Sequence, residues 1–241
     1  MIVLRRAIGV ARVLLHIGTG FVLAVGTGAF FSPQRPQARR ATRWWLARLV
    51  RVLNVDVDVR GTPLAQPALV VSNHVSWLDI PVLGGLTGVH FLSKAEVADW
   101  PLIGKLADAG GTLYIRRGRG QVRERARQIG QYIREGHSVL VFPEGTTTAG
   151  SSVLDFHSPL FAAASDDGHA VQPVAIRYLD AQGLPDRHVP FIGDDEFTTH
   201  LWRLLGAPRV RAQVVFLPPL TGDNPRELAA QAHAAVRDVI G

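Results

Sequence analysis

Apolar and polar positions along the chain change their period twice. Residues 13–31, VLLHIGTGFVLAVGTGAFF, hold no formally charged side chain, and His16 is their one titratable group. As a helix this run would measure about 28 Å, near the hydrocarbon thickness of a bilayer. In the next stretch, ARRATRWWLARLVRVLNV, a helical period places Trp45, Leu46, Leu49, Val52 and Leu53 on one side. Arg40, Arg43, Arg48 and Arg51 fall on the other, which predicts an amphipathic helix. From residue 55 onward short apolar runs alternate with helical patterns. VDVDVR, PALVVS, VHFLS, TLYIR, SVLVF, AVQPVAIRY and VRAQVVFL read as strands. Helices are predicted around 78–86, 95–108, 119–135, 159–165 and 224–239, the third of them solvated. DRHVPFIGDDEFTTHLWRLLG shows no clean period over its length and reads as an excursion from the sheet.

Such alternation predicts an α/β protein with a mixed, largely parallel central sheet flanked by helices. We divide the chain into residues 1–54, an N-terminal membrane-associated pair of helices, and residues 55–241, a catalytic domain. For the apolar run, a signal peptide, a membrane span, a helix that dips into the bilayer and returns, and a buried soluble helix all compete. GTGAFF is a poor cleavage site. Arg5 and Arg6 precede the run and Arg35, Arg39, Arg40 and Arg43 follow it, whereas a spanning helix carries its positive charge on one side. This favours the dipping helix, with the tryptophans of the second helix at headgroup depth. The other reading of that second helix is an amphipathic one packed on its own domain.

Composition narrows the chemistry. The 241 residues contain no cysteine, which excludes disulfides, thiolate metal sites and a cysteine nucleophile. A formal charge of +6 favours anionic partners: phospholipid headgroups, phosphorylated substrates, acidic carrier proteins or nucleic acid. GDDE at 193–196 lacks calcium-loop spacing, and the histidines show no metal-ligand pattern, so no metal and no cofactor are expected.

Several apolar runs end in polar or glycine-rich sequence, as strands do when they deliver side chains to a site. PALVVS leads into Asn73-His-Val-Ser-Trp-Leu-Asp79, a histidine and an aspartate five apart. TLYIR leads into Arg116, Arg117 and Arg119 among glycines, a setting suited to phosphate or carboxylate. VLVF leads into Pro143, Glu144, Gly145 and Thr146–Thr148, a rigid turn and a loop of N–H groups and hydroxyls. None of these decides a function alone.

Together, and in this order with the later VQPV, the blocks resemble those of bacterial 1-acyl-glycerol-3-phosphate acyltransferases of the phospholipid/glycerol acyltransferase family. The likeness covers roughly residues 55–180, and the N-terminal helices resemble that family's two-helix membrane element. It puts the His-x4-Asp pair on His74 and Asp79. Gly-x-x-Phe-Ile-x-Arg falls on Gly111, Tyr114, Ile115 and Arg117, with tyrosine in place of phenylalanine. Phe-Pro-Glu-Gly-Thr-Arg falls on Phe142, Pro143, Glu144, Gly145 and Thr146, and Thr147 replaces the arginine.

The resemblance implies acyl transfer from acyl-CoA or acyl carrier protein to the sn-2 hydroxyl of 1-acyl-glycerol-3-phosphate at the inner membrane, facing the cytoplasm. His74 would act as general base, oriented by Asp79. Arg116, Arg117, Glu144, Gly145 and Thr146 would bind substrate. A pair five apart on one helix would not meet, so His74 is expected in the turn leaving the strand and Asp79 early in the next helix. FPEGTTT and FIGDDEFTTHLWRLL are similar to the lyso-ornithine-lipid branch, the alternative acceptor. An esterase lacks its serine elbow, a membrane-binding module leaves the ordered blocks unexplained, and nucleic-acid binding has only charge behind it.

Overall fold

Among the described residues the predicted strands form one seven-stranded sheet, in the order β1-β7-β6-β2-β5-β3-β4. The computed structural model describes residues 2–94, 98–100, 102–115 and 121–241. Two long helices, α1 (Ile2–Thr27) and α2 (Pro36–Val52), precede β1 (Val55–Arg60) and β2 (Leu69–Ser72). Then follow α3 (Asp79–Thr87), β3 (His90–Lys94), α4 (Ile103–Ala109), β4 (Leu113–Ile115), α5 (Gln121–Arg134) and β5 (Val139–Val141). A 3-10 turn (Ser158–Phe161) and α6 (Ala162–Ser165) lead to β6 (Val171–Leu179), α7 (Phe197–Gly206), β7 (Val210–Phe216) and α8 (Pro225–Ile240).

Strands β6, β2, β5, β3 and β4 run parallel, while β7 is antiparallel to β6 and carries β1 parallel to itself. This is the mixed, largely parallel sheet expected. β2 is buried on both faces, as the unbroken run Leu69-Val-Val-Ser72 requires. Val70 joins the core beneath α3, with Leu83, Val174 and Ile176. Leu69 and Val71 point the other way, to Ile129 and Ile133 of α5 and Leu228 of α8. At the start of α8, Asn224 caps the helix by accepting from Arg226 N and Glu227 N, and Pro225 follows it.

Three local expectations need correction. The stretch 186–206 is not wholly an excursion, since its second half forms α7. Phe197, His200, Leu201, Leu204 and Leu205 share a helical face, but His200 counts as polar in a hydropathy pattern although it is fully buried. Its polarity is met locally: Trp77 Nε1 donates to His200 Nδ1 at 3.0 Å, and His200 Nε2 donates to Val189 O at 3.0 Å. Helix α5 is not solvated all round, because Ala126, Ile129 and Ile133 are buried against the sheet. Finally, the apolar side of α2 packs on its own chain. A Cβ on Gly85 would lie 2.8 Å from Ala47 N, so the two glycines Gly84 and Gly85 let α2 and α3 approach closely. Leu46, Leu49 and Val50 face that contact, and Trp45 stacks on His16 of α1 with ring centroids 4.6 Å apart.

Candidate active site

In a parallel sheet, side chains with chemistry gather where the strands end and the order of connection reverses. The chain passes from β2 outward to β3 and β4, returns to β5 between β2 and β3, then crosses to β6 on the other side of β2. Beyond the carboxyl ends of β2 and β5 sit the two blocks Asn73–Asp79 and Phe142–Thr148. Five residues separate His74 from Asp79, and they meet because a turn intervenes: His74 lies in the loop and Asp79 is the first residue of α3.

His74 Nδ1 lies 2.7 Å from Asp79 Oδ2. The same oxygen accepts Val75 N at 2.7 Å and Ser76 N at 3.1 Å, and the Tyr178 hydroxyl donates to Oδ1 at 2.7 Å. Asp79 is fully buried at the N-terminus of α3, and its two oxygens together accept four donors. A carboxylate on Nδ1 fixes the proton there and leaves Nε2 as an acceptor. The His74 side chain keeps 19% of its surface exposed, and its ring stacks on Phe142 at 3.9 Å. Burial, reinforced by the Asp79 charge, pushes the Tyr178 phenol well above its ordinary pKa, so it stays a donor.

Glu144 ties the two blocks together. Its Oε1 accepts His74 N at 2.7 Å and its Oε2 accepts Leu154 N at 2.8 Å. Burial pushes its carboxyl above the usual value, while those two N–H groups pull the other way. Gly145 has φ +72°, a turn conformation that glycine adopts without strain. Its N–H is committed to Phe142 O at 3.1 Å. The neighbouring Thr146 is exposed, and its N–H meets no partner among the described residues. The Thr147 hydroxyl donates to Phe191 O, and Phe191 N donates to Val75 O at 3.0 Å, so Phe191 is bound to both blocks.

The arginine-bearing block is only partly visible. β4 ends at Ile115 on the same edge of the sheet as β2 and β5. Arg116, Arg117 and Arg119 lie outside the described residues. Gly111 has φ +73°, and Tyr114 donates to Gly104 O at 3.3 Å. Asp79, Glu144, Gly145 and Thr146 are therefore gathered around His74. Sequence reasoning missed Tyr178 and Asn73, although alternation within AVQPVAIRY was enough to put Tyr178 on the same face as Val174 and Ile176.

An apolar cavity of about 260 Å³ opens beside this cluster. Trp77 from the His74–Asp79 segment and Ile80 just after it line it, with Phe197, Trp100, Trp45 and Leu49. A half-buried imidazole on a buried carboxylate, beside an alkyl-sized cavity, suits a proton transfer at the head of a lipid. Residues 56–177 match the family described as acyltransferase.

The chain belongs to the acyltransferase family. It is 46% identical to a lyso-ornithine lipid O-acyltransferase of Pseudomonas aeruginosa, over 97% of this chain and 93% of that protein. It is 32% identical to a 1-acyl-sn-glycerol-3-phosphate acyltransferase of Neisseria meningitidis, over 76% of this chain and 72% of that one. The fold matches the crystal structure of the 1-acyl-sn-glycerophosphate acyltransferase of Thermotoga maritima with a TM-score of 0.68 at 21% identity. That match covers 100% of this chain and 96% of the other. The protein is an acyltransferase that acts on lysolipids.

Proposed function

We propose that this acyltransferase moves an acyl chain from acyl-CoA or acyl carrier protein to the hydroxyl of a lyso-ornithine lipid. Thr147 carries this choice of acceptor. It stands where the phosphatidate-forming pattern has arginine, and its hydroxyl is committed to Phe191 O. That position thus brings no cation to a phosphate, and an ornithine headgroup has no phosphate to meet. The 46% identity to the Pseudomonas enzyme supports the same acceptor. Lysophosphatidate is the second reading, favoured by the arginines after β4 and by the Neisseria relative.

In the mechanism we infer, His74 Nε2 takes the proton of the acceptor hydroxyl as its oxygen attacks the thioester carbonyl. Asp79 stabilises the imidazolium that forms. The Thr146 N–H is positioned in an exposed turn as a donor to the tetrahedral oxyanion. Collapse breaks the carbon–sulfur bond, and the thiolate leaves as a thiol with the proton from His74. The apolar cavity holds an alkyl chain, with Trp77 between it and the reacting pair. No step requires a cofactor or a metal.

We assign the enzyme to a membrane surface through α1. Leu4, Ile8, Leu15, Val22 and Val25 are each at least 44% exposed along one side of that helix. The other side carries Gly9, His16, Gly20 and Ala24, all buried. The helix is fastened near its start and at its middle. Arg5 donates to Gly206 O at 2.6 Å at one end, and Trp45 Nε1 donates to His16 O at 2.9 Å further along. A helix held along its length by its own protein lies in one leaflet rather than crossing the bilayer. Donors of the CoA and carrier-protein class place the reacting side toward the cytoplasm.

An acceptor competition tests the substrate. Purified enzyme in mixed micelles receives a labelled acyl donor with equimolar lyso-ornithine lipid and lysophosphatidate. Labelled ornithine lipid as the main product is expected; labelled phosphatidate would reverse the choice of acceptor.

A further inference from the structure

We propose that Tyr178 is a positioning residue of the acyl transfer, acting on His74 through Asp79; this rests on His74 being the general base. The two oxygens of Asp79 are not equivalent. Oδ2 takes three N–H donors, from His74 Nδ1 and the backbone of Val75 and Ser76. Oδ1 takes one, the Tyr178 hydroxyl at 2.7 Å. That hydroxyl holds the carboxylate plane, and so decides which oxygen faces the imidazole. It also draws charge from Asp79, so that the proton shared with His74 stays on nitrogen.

The fold delivers this hydroxyl by a specific device. β2 ends at Ser72, where its pairing with Val174 of β6 also ends. The side chain of Asn73 carries the ladder one step further. Its Nδ2 donates to Ile176 O at 2.8 Å and its Oδ1 accepts Ile176 N at 2.8 Å. β6 is thereby kept in register past the end of its neighbour. Strand alternation then turns Tyr178 to the face of Val174 and Ile176, beneath the first turn of α3. Tyr178 is 4% exposed and touches neither the surface nor the apolar cavity. A tyrosine used only for packing would leave its hydroxyl to a backbone carbonyl or to water; here it is committed to the catalytic carboxylate.

Among the described residues, the titratable groups around the His74–Asp79 pair are Tyr178, Glu144 on the His74 N–H and, across Gly145, His157. Tyr178 is the one that donates to Asp79. Its removal leaves Oδ1 buried and bare, makes the carboxylate more basic and stabilises the imidazolium.

Three proteins decide the matter: Tyr178→Phe, the enzyme with 3-fluorotyrosine incorporated at 178, and His74→Ala. For Tyr178→Phe we expect kcat to fall about 10- to 100-fold with the lysolipid KM within about two-fold of wild type. The acid limb of its kcat/KM profile should move to higher pH. Fluorination makes the phenol a stronger donor at nearly unchanged size, so that limb should move to lower pH. A purely structural tyrosine would not give shifts of opposite sign. The fluorinated protein keeps the test decisive if Tyr178→Phe does not fold. An inactive His74→Ala with wild-type limbs in the tyrosine series would overturn the positioning role alone. Retained activity in His74→Ala would remove the general base, and this proposal with it.

Discussion

Asn73 grips Ile176 by both edges of its peptide unit, accepting its N–H and donating to its carbonyl, each at 2.8 Å. One side chain thus replaces the strand residue that β2 no longer supplies. It also sits directly before His74, so the register of β6 and the position of the histidine are set by neighbouring residues. Asn73→Ala would strand two buried backbone groups, at a cost of about 2–4 kcal/mol. We expect a lower urea midpoint and a loss of kcat larger than the unfolding alone explains. Equal activity per folded molecule would contradict the link between the ladder and the site.

Asp79→Asn should keep the fold and lose the chemistry. The amide oxygen can keep the three donors of Oδ2, with the NH₂ toward the Tyr178 hydroxyl, but the neutral amide no longer stabilises the imidazolium that forms on His74. The expected fall in kcat is about 10³-fold or more, by analogy with other oriented imidazoles. Turnover of a labelled thioester by protein of verified secondary structure measures it, and a fall under tenfold would argue for another base.

Leu15 and Val22 are 67% and 72% exposed on α1, so glutamate there has little to disturb within the folded protein. A Leu15→Glu, Val22→Glu enzyme should leave the membrane pellet for the soluble fraction. Its melting temperature should stay within a few degrees of wild type. Continued sedimentation with anionic vesicles would place the membrane contact elsewhere.

The buried histidines give stability a pH dependence of known sign. Burial pulls the His90 imidazole from 6.5 down to about 4, and burial likewise lowers His200. His90 is therefore neutral when folded near pH 5 and takes up a proton when unfolded. The His90 contribution is complete above about pH 6.5 and is lost as pH falls toward 4, at up to about 1.4 kcal/mol per pH unit, and His200 adds a loss of the same sign. Urea melts from pH 7.5 to 4.5 should show this decline, and His90→Asn should flatten it. An unchanged slope in that variant would mean that His90 does not carry the effect.

The strands were legible because burial on both faces leaves unbroken runs such as LVV, and half-burial leaves alternation such as VRAQVVF. The polar blocks around His74 and Glu144 were legible because each lies at the end of such a run. Helix α7 was missed because His200 is a polar letter in a buried position, paired with a tryptophan 123 residues away. The apolar face of α2 was assigned to lipid because a period of 3.6 does not say which surface covers it. α1 shows the same ambiguity in reverse: it is apolar on both sides, and only packing divides the buried side from the exposed one.

Near neighbours in the chain were enough for the order of the elements other than α7, for the sheet class, for the His74–Asp79 pair and for the family. The tertiary structure alone decided that Tyr178 holds Asp79, that Glu144 binds the backbone of His74, and that Thr147 is tied to Phe191. Those partners lie 99, 70 and 44 positions apart. Hydrogen bonds at such separations leave no period in the sequence, because the sheet, and not the local chain, brings their ends together.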